Sequence, residues 1–118
     1  MITSCVAAIC ITGAVAIDGD TLRLNSPGKS FRLRLWGIDA PELKAPLGID
    51  AREALARLVD NKTVSCDLMD VDRYGRPVVR CGTATTPDIA CELGLDRTAR
   101  DFPRYSAGYY ASCAPAQK

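Results

Sequence analysis

Ile9, Ile11, Val15 and Ile17 fall at odd positions, a period of two that predicts a β-strand over Cys10 to Ile17. Asp18-Gly19 then predicts a two-residue type I′ hairpin turn, because both of its central positions need positive φ. Thr21-Leu22-Arg23-Leu24 reads as the return strand, and Asn25-Ser26-Pro27-Gly28-Lys29 as a second turn. Phe31, Leu33 and Leu35 alternate with Arg32, Arg34 and Trp36 in a third strand, which completes a meander. From Asp50 to Val59 the period changes: Ala51, Leu55, Leu58 and Val59 share one helical face, and Asp50 with Glu53 three residues on forms a capping-box pattern.

Two β-rich runs follow, Lys62 to Leu68 and Val78 to Cys81, across a loop of about ten residues that contains Asp72-Arg73-Tyr74-Gly75-Arg76-Pro77. Facing each other, these strands make Cys66 and Cys81 candidates for a cross-strand disulfide. Asp88 to Leu95 reads as a shorter helix capped by Pro87-Asp88, and beyond Pro103 come Tyr105, Tyr109 and Tyr110, room for a short third helix, and a polar tail. Three strands, a helix and two more strands is the order of a five-stranded OB-fold barrel, an α+β architecture with its helix between strands three and four and short helices after it. At 118 residues the chain is large enough for one continuous core and too small for two, so a single domain over 1–118 is expected, its motifs lying between roughly residues 12 and 110.

Composition narrows the chemistry. The 15 Lys plus Arg against 14 Asp plus Glu leave a net charge of +1, so a polyanion must be gathered by locally placed arginines rather than by an overall field. There is no histidine, which closes off serine triads, Cys-His pairs and the usual zinc hydrolases. Six cysteines, Cys5, Cys10, Cys66, Cys81, Cys91 and Cys113, suit disulfides and an oxidising compartment, and with no Cys-x-x-Cys they do not suit zinc. Met1 to Ile17 is apolar but lacks a basic n-region, so it does not read as a complete signal peptide. No apolar run reaches the roughly 18 residues of a membrane span.

Carboxylates gather where loops meet strands, Asp18 and Asp20 around the first turn and Asp39 and Glu42 in Gly37-Ile38-Asp39-Ala40-Pro41-Glu42. Such oxygen donors suit a hard cation like calcium, although Asp-Gly alone is more commonly a plain turn. Arginines supply the counterpart: a phosphodiester gains negative charge during displacement, and a guanidinium fork can meet it bidentately. Each arginine taken singly is more often a surface ion pair. Arg32 and Arg34 share a strand face, so the alternation does not choose between them.

Three segments together resemble the staphylococcal nuclease family in identity, order and spacing: Ile17-Asp18-Gly19-Asp20-Thr21-Leu22, Arg32 through Glu42, and Asp72-Arg73-Tyr74-Gly75-Arg76. The resemblance selects Arg34 over Arg32. It implies a calcium-dependent endonuclease on DNA and RNA, preferably single-stranded or flexible, cleaving at the 5′-oxygen to leave 3′-phosphate ends. By position it implies Asp20, Asp39 and the Ala40 carbonyl as calcium ligands, Glu42 as the group that holds or deprotonates the attacking water, and Arg34 and Arg76 as the phosphate clamp. Tyr74 and Tyr105 match aromatic positions of the nucleotide pocket. A monomer exported to the periplasm or beyond the cell is expected.

The chain departs from the family at Arg97, where a glycine usually follows the second helix, and in its short C-terminal region. The competing reading is a catalytically inactive OB-fold module that binds nucleic acid or protein, and retention of Asp20, Arg34, Asp39, Glu42 and Arg76 weighs against it. The tyrosines also admit an assembly surface, although such residues more often finish a core edge.

Overall fold

The computed structural model describes residues 9–26 and 28–113. Its elements are β1 (Ile9–Thr12), β2 (Val15–Asp18), β3 (Thr21–Ser26), β4 (Lys29–Leu35), β5 (Ile38–Asp39), α1 (Gly48–Val59), β6 (Thr63–Val71), β7 (Pro77–Gly82), α2 (Ile89–Leu95), β8 (Arg100–Asp101) and α3 (Pro103–Ser106). Cys5, Pro27, the start of the apolar N-terminal run and the end of the polar tail lie outside the described residues.

The predicted first strand is two strands. Gly13 takes φ 79°, a left-handed conformation that residues with a Cβ rarely adopt, and the chain bends there. One half, β1, pairs antiparallel with β6, while the other, β2, pairs antiparallel with β3. Six of the eight strands form one sheet in the order β1-β6-β7-β4-β3-β2, with a parallel β4–β7 contact, while β5 pairs antiparallel with β8. The two outermost strands are thus consecutive in sequence, and the sheet curls until its edges meet in one bent segment. Counting that segment once gives the five strands of an OB-fold barrel, with α1 between the third and fourth.

Alternation fills the barrel. Leu22, Leu33, Leu35, Val64, Cys66, Val79 and Cys81 point inward, and Leu55 and Val59 of α1 with Ile89 and Leu93 of α2 complete the core. Full burial of such an aliphatic side chain contributes roughly 1.5–3 kcal/mol. Phe31, although in phase with the buried Leu33 and Leu35, is exposed, because β4 extends past the barrel at that end. Cys66 and Cys81 sit opposite one another in the β6–β7 register and are joined by a disulfide. A second bridge joins Cys91 of α2 to Cys113, and Cys10 is disulfide-bonded as well.

Local expectations differ at three turns. The first hairpin turns on Gly19 and Asp20, neither with positive φ, so it is not type I′; a register shift between Ala16 and Asp18 absorbs the difference. Gly19 is required for close approach: a Cβ there would stand 2.6 Å from Ala51 Cβ and 2.7 Å from Ala40 Cβ. The N-cap of helix α1 is Leu47, three residues before the Asp50 that the capping-box pattern indicates, at φ 68° and with no side-chain cap. Backbone bonds from Ala45 N to Glu42 O and from Gly48 N to Ala45 O lead the chain into it, and Gly48 packs so tightly on the Glu42 carbonyl that no side chain fits. Strands β6 and β7 run further than their β-rich cores, leaving a loop of only residues 72–76 where about ten residues were expected from sequence.

Helix α2 is capped as expected, Asp88 Oδ1 accepting from Cys91 N at 3.3 Å. Its other end is a Schellman turn, with Thr98 N bonded to Leu93 O, Arg97 N bonded to Gly94 O, and Arg97 held at φ 62°. Tyr110 is buried and anchors the C-terminal segment, its hydroxyl donating to both oxygens of Asp88 at 3.0 Å. Burial and the Asp88 charge raise its pKa well above the ordinary phenol value. Of the three C-terminal tyrosines only Tyr110 finishes the core; Tyr105 and Tyr109 are exposed.

Candidate active site

The first hairpin, the end of β4 and the end of β5 meet because Leu35 N donates to Asp20 O at 2.8 Å and Ala40 N donates to Asp20 Oδ2 at 2.9 Å. Arg34 reaches this junction. Its Nη2 lies 3.3 Å from Asp20 Oδ2 and 3.5 Å from Asp39 Oδ1, while Nη1 donates to Leu35 O at 2.8 Å. Thr21 Oγ1 donates to Asp20 Oδ1 at 3.2 Å, and Asp18 Oδ1 accepts from Asp20 N at 3.0 Å. The guanidinium is therefore held on several sides and aimed by its surroundings rather than by its own rotamer preferences.

Burial sets the electrostatics of this junction. Asp20 is 7% exposed, and loss of water pushes its pKa up to about 6. Arg34 opposes that shift and Asp18 adds to it, but desolvation is the largest cause. A carboxylate poorly solvated by water, with a second one nearby, invites a cation.

Arg76 is positioned differently. Asp72 Oδ1 accepts from Tyr74 N and from Arg76 N, each at 2.9 Å, so the carboxylate folds the loop upon itself as an Asx turn. Its Oδ2 accepts from Arg76 Nε at 2.8 Å. Gly75 at φ 81° permits the tight return. The backbone N–H of Arg76, above the other contacts, lowers the Asp72 pKa below the ordinary carboxylate value.

Arg34 and Arg76 line one cleft of about 530 Å³, together with Tyr74 and Tyr105. The structure thus brings together Asp20, Arg34, Asp39 and Ala40 at one junction, and Arg34, Arg76, Tyr74 and Tyr105 around one space. Glu42 is not in that space: it is exposed on the loop after β5. Trp36, Phe102 and Arg104 also line the cleft and were not picked out from sequence. The alternation that placed Arg32 and Arg34 on one face extends to Trp36, so that one was within reach; Phe102 and Arg104 arrive only because Phe102 N bonds to Gly37 O and carries α3 across.

No group of three or more Asp, Glu, Cys or His side chains is gathered closely enough to hold a metal ion among the described residues. Asp20 and Asp39 supply two carboxylates on either side of one guanidinium nitrogen. Their hard oxygens fit a hard cation, with backbone carbonyls and water completing its shell.

The family described as Staphylococcal nuclease homologue matches residues 32–107. A probable staphylococcal-like nuclease of Oryza sativa subsp. japonica is 50% identical over 50 residues, which is 42% of this chain and 15% of the relative. A protein named ParB of Escherichia coli is 47% identical over 60 residues, 51% of this chain and 34% of the relative. An uncharacterized endonuclease of Escherichia coli O157:H7 is 39% identical over 72 residues, 61% of this chain and 45% of the relative. The chain spans less than half the length of each of these three.

Proposed function

The chain belongs to the staphylococcal nuclease homologue family, and from that premise we propose that it is a calcium-dependent nuclease of DNA and RNA, cleaving at the 5′-oxygen to leave 3′-phosphate ends. The observation that carries this reading is the convergence of Arg34 and Arg76, from two different elements, on one cleft beside the buried Asp20. Two fixed guanidinium groups facing one space suit a phosphodiester whose equatorial oxygens gain charge as it is attacked.

In this reading Asp20, Asp39 and the Ala40 carbonyl hold the ion, which when bound supplies positive charge to the phosphate and its nucleophilic water. Arg34 and Arg76 clamp the scissile phosphate. Glu42 takes the proton of the attacking water; the new bond is water oxygen to phosphorus, the broken one is phosphorus to O5′, and the leaving oxygen takes a proton from solvent water to become a 5′-hydroxyl. Glu42 stands exposed on the loop after β5, three residues from Asp39. Tyr74 and Tyr105 offer sequence-tolerant stacking faces, which favours unpaired strands.

A monomeric single domain exported to an oxidising compartment accords with the disulfides. No helix among the described residues is long and apolar enough to cross a membrane.

Hydrolysis of single-stranded DNA and RNA with calcium, then with excess EGTA, under non-reducing conditions and with Glu42→Gln alongside, tests the proposal. Calcium-dependent cleavage lost in the variant is expected, with 3′-phosphate ends on the products. A folded wild type that binds both polymers and cleaves neither would leave a binding-only barrel.

A further inference from the structure

The outer face of the sheet carries a second groove, of about 420 Å³, between β6 and β7 and the loop that follows β7. Its walls are mixed: Thr63, Ser65 and Asp67 on β6, Arg80 on β7 and Thr83 beyond it supply the polar groups, and Cys81, Ala84 and Pro87 the apolar ones. Gly82 makes room for it by letting the following loop fold back, since a Cβ there would run into the Pro87 carbonyl.

The groove neighbours the cleft, although no residue lines both. Val78 lines the cleft and Arg80 lines the groove, and with the buried Val79 between them they point from the same face of β7, about 6.8 Å apart. A second link runs beside the strand. Trp36 of the cleft stacks edge-on with Tyr109 at 5.5 Å, and the Arg80 guanidinium lies 5.2 Å from the centre of the Tyr109 ring. Tyr109 is 53% exposed. An aromatic face and a cation therefore continue outward from the wall that holds Arg34.

Arg80 is also weakly committed. Its one ion pair among the described residues, to Asp67, spans 3.8 Å between side chains that are 33% and 54% exposed, which is worth little in water. A phosphate could replace that carboxylate at small cost.

We propose that this groove is an accessory subsite for single-stranded nucleic acid: a strand engaged in the cleft continues over Tyr109, and Arg80 receives a phosphate flanking the one in the cleft, with the groove hydroxyls beside it. The proposal rests on the reading of the cleft as a phosphodiester site. It makes the enzyme sensitive to strand length, because a substrate too short to leave the cleft never meets Arg80. Asp67 acts as a competitor for the same guanidinium, so its charge weakens the subsite.

Fluorescence anisotropy of a labelled trinucleotide and a labelled dodecanucleotide, in EDTA and over a range of NaCl, provides the test, with wild type, Arg80→Gln and Asp67→Asn compared. Arg80→Gln should weaken dodecanucleotide binding about fivefold or more and reduce its salt slope by about 0.7, leaving the trinucleotide unchanged. Asp67→Asn should tighten the dodecanucleotide and again spare the trinucleotide. Equal effects on both lengths, or none on either, overturn the subsite. If Arg80→Gln fails to fold, Asp67→Asn, a change at an exposed carboxylate, decides alone by its sign. A wild type that binds with this length dependence but hydrolyses nothing would sink the nuclease reading and leave the subsite standing.

Discussion

Arg34 and Arg76 face the same cleft but are held by opposite means. Arg34 is set among several partners, the adjacent Leu35 carbonyl, Asp39 five residues on and, from the preceding hairpin, Asp20, which is almost wholly desolvated. Arg76 is set by a single carboxylate four residues away, in a loop that makes its own geometry. The first arrangement couples the site to the fold; the second attaches a functional group to the fold as a local unit. Equivalent chemistry from the two arginines should therefore come with unequal consequences for stability.

The largest expected effect tests that inequality. Arg34→Gln and Arg76→Gln should each lower kcat for single-stranded DNA by about a hundred- to a thousandfold, as loss of a transition-state donor does. Only Arg34→Gln should also destabilise the protein at pH 7, by about 1–3 kcal/mol, because it leaves buried Asp20 without its cation. Urea unfolding followed by Trp36 fluorescence separates the two, and equal midpoints for the variants would dissolve the distinction.

Next comes pH. Asp20 has its folded pKa raised to about 6, above its unfolded value, so the folded state binds the proton more tightly. Without calcium, this group's contribution favours the fold increasingly as pH falls from 7 through 6 toward 4, and the stabilisation is lost as pH rises again. Asp20→Asn should raise the calcium-free unfolding temperature at pH 7 and flatten that part of the profile. A wild-type profile that falls steadily from pH 7 to 5, matched by the variant, would contradict the burial argument. Calcium should stabilise wild type more at pH 7 than at pH 5 and leave Asp20→Asn nearly unmoved.

A smaller effect belongs to the other arginine. Asp72→Asn should cost roughly ten- to a hundredfold in kcat by loosening Arg76, with little change in the unfolding midpoint. Because the Asp72 pKa is depressed, its hold on Arg76 is fully present above the ordinary carboxylate range and is lost only as pH falls through the lowered value. The smallest effect lies outside both sites. Arg97→Gly, at a left-handed position, should stabilise by about 0.5–1 kcal/mol with kcat unchanged, measured in the same urea titration.

The contrast also explains what could be read in advance. The Arg76 loop is local, and Asp72 through Arg76 announce its turn in five consecutive residues. The barrel order followed from alternation, since Leu33 and Leu35 bury where the period of two puts them. The junction at Arg34 is non-local: without the spacing of a known family, Arg32 and Arg34 are indistinguishable, and packing alone separates them. Leu47 in a left-handed conformation and the early start of α1 had no signature because they follow from the contact between Gly48 and the Glu42 carbonyl. The break at Gly13 did have one, a glycine inside an alternating run, but the same pattern also describes an uninterrupted strand.

That break has a consequence for how the protein fares among other proteins. Because the two outermost strands are the two arms of one bent segment, the sheet turns what would be its open sides toward each other. A sheet with a long free side offers a row of unsatisfied amides and carbonyls to any passing chain, which is how many β-proteins begin to aggregate. Here the seam is two residues, Gly13 and Ala14, and a substitution that straightened it would expose a template for self-association before it damaged the cleft.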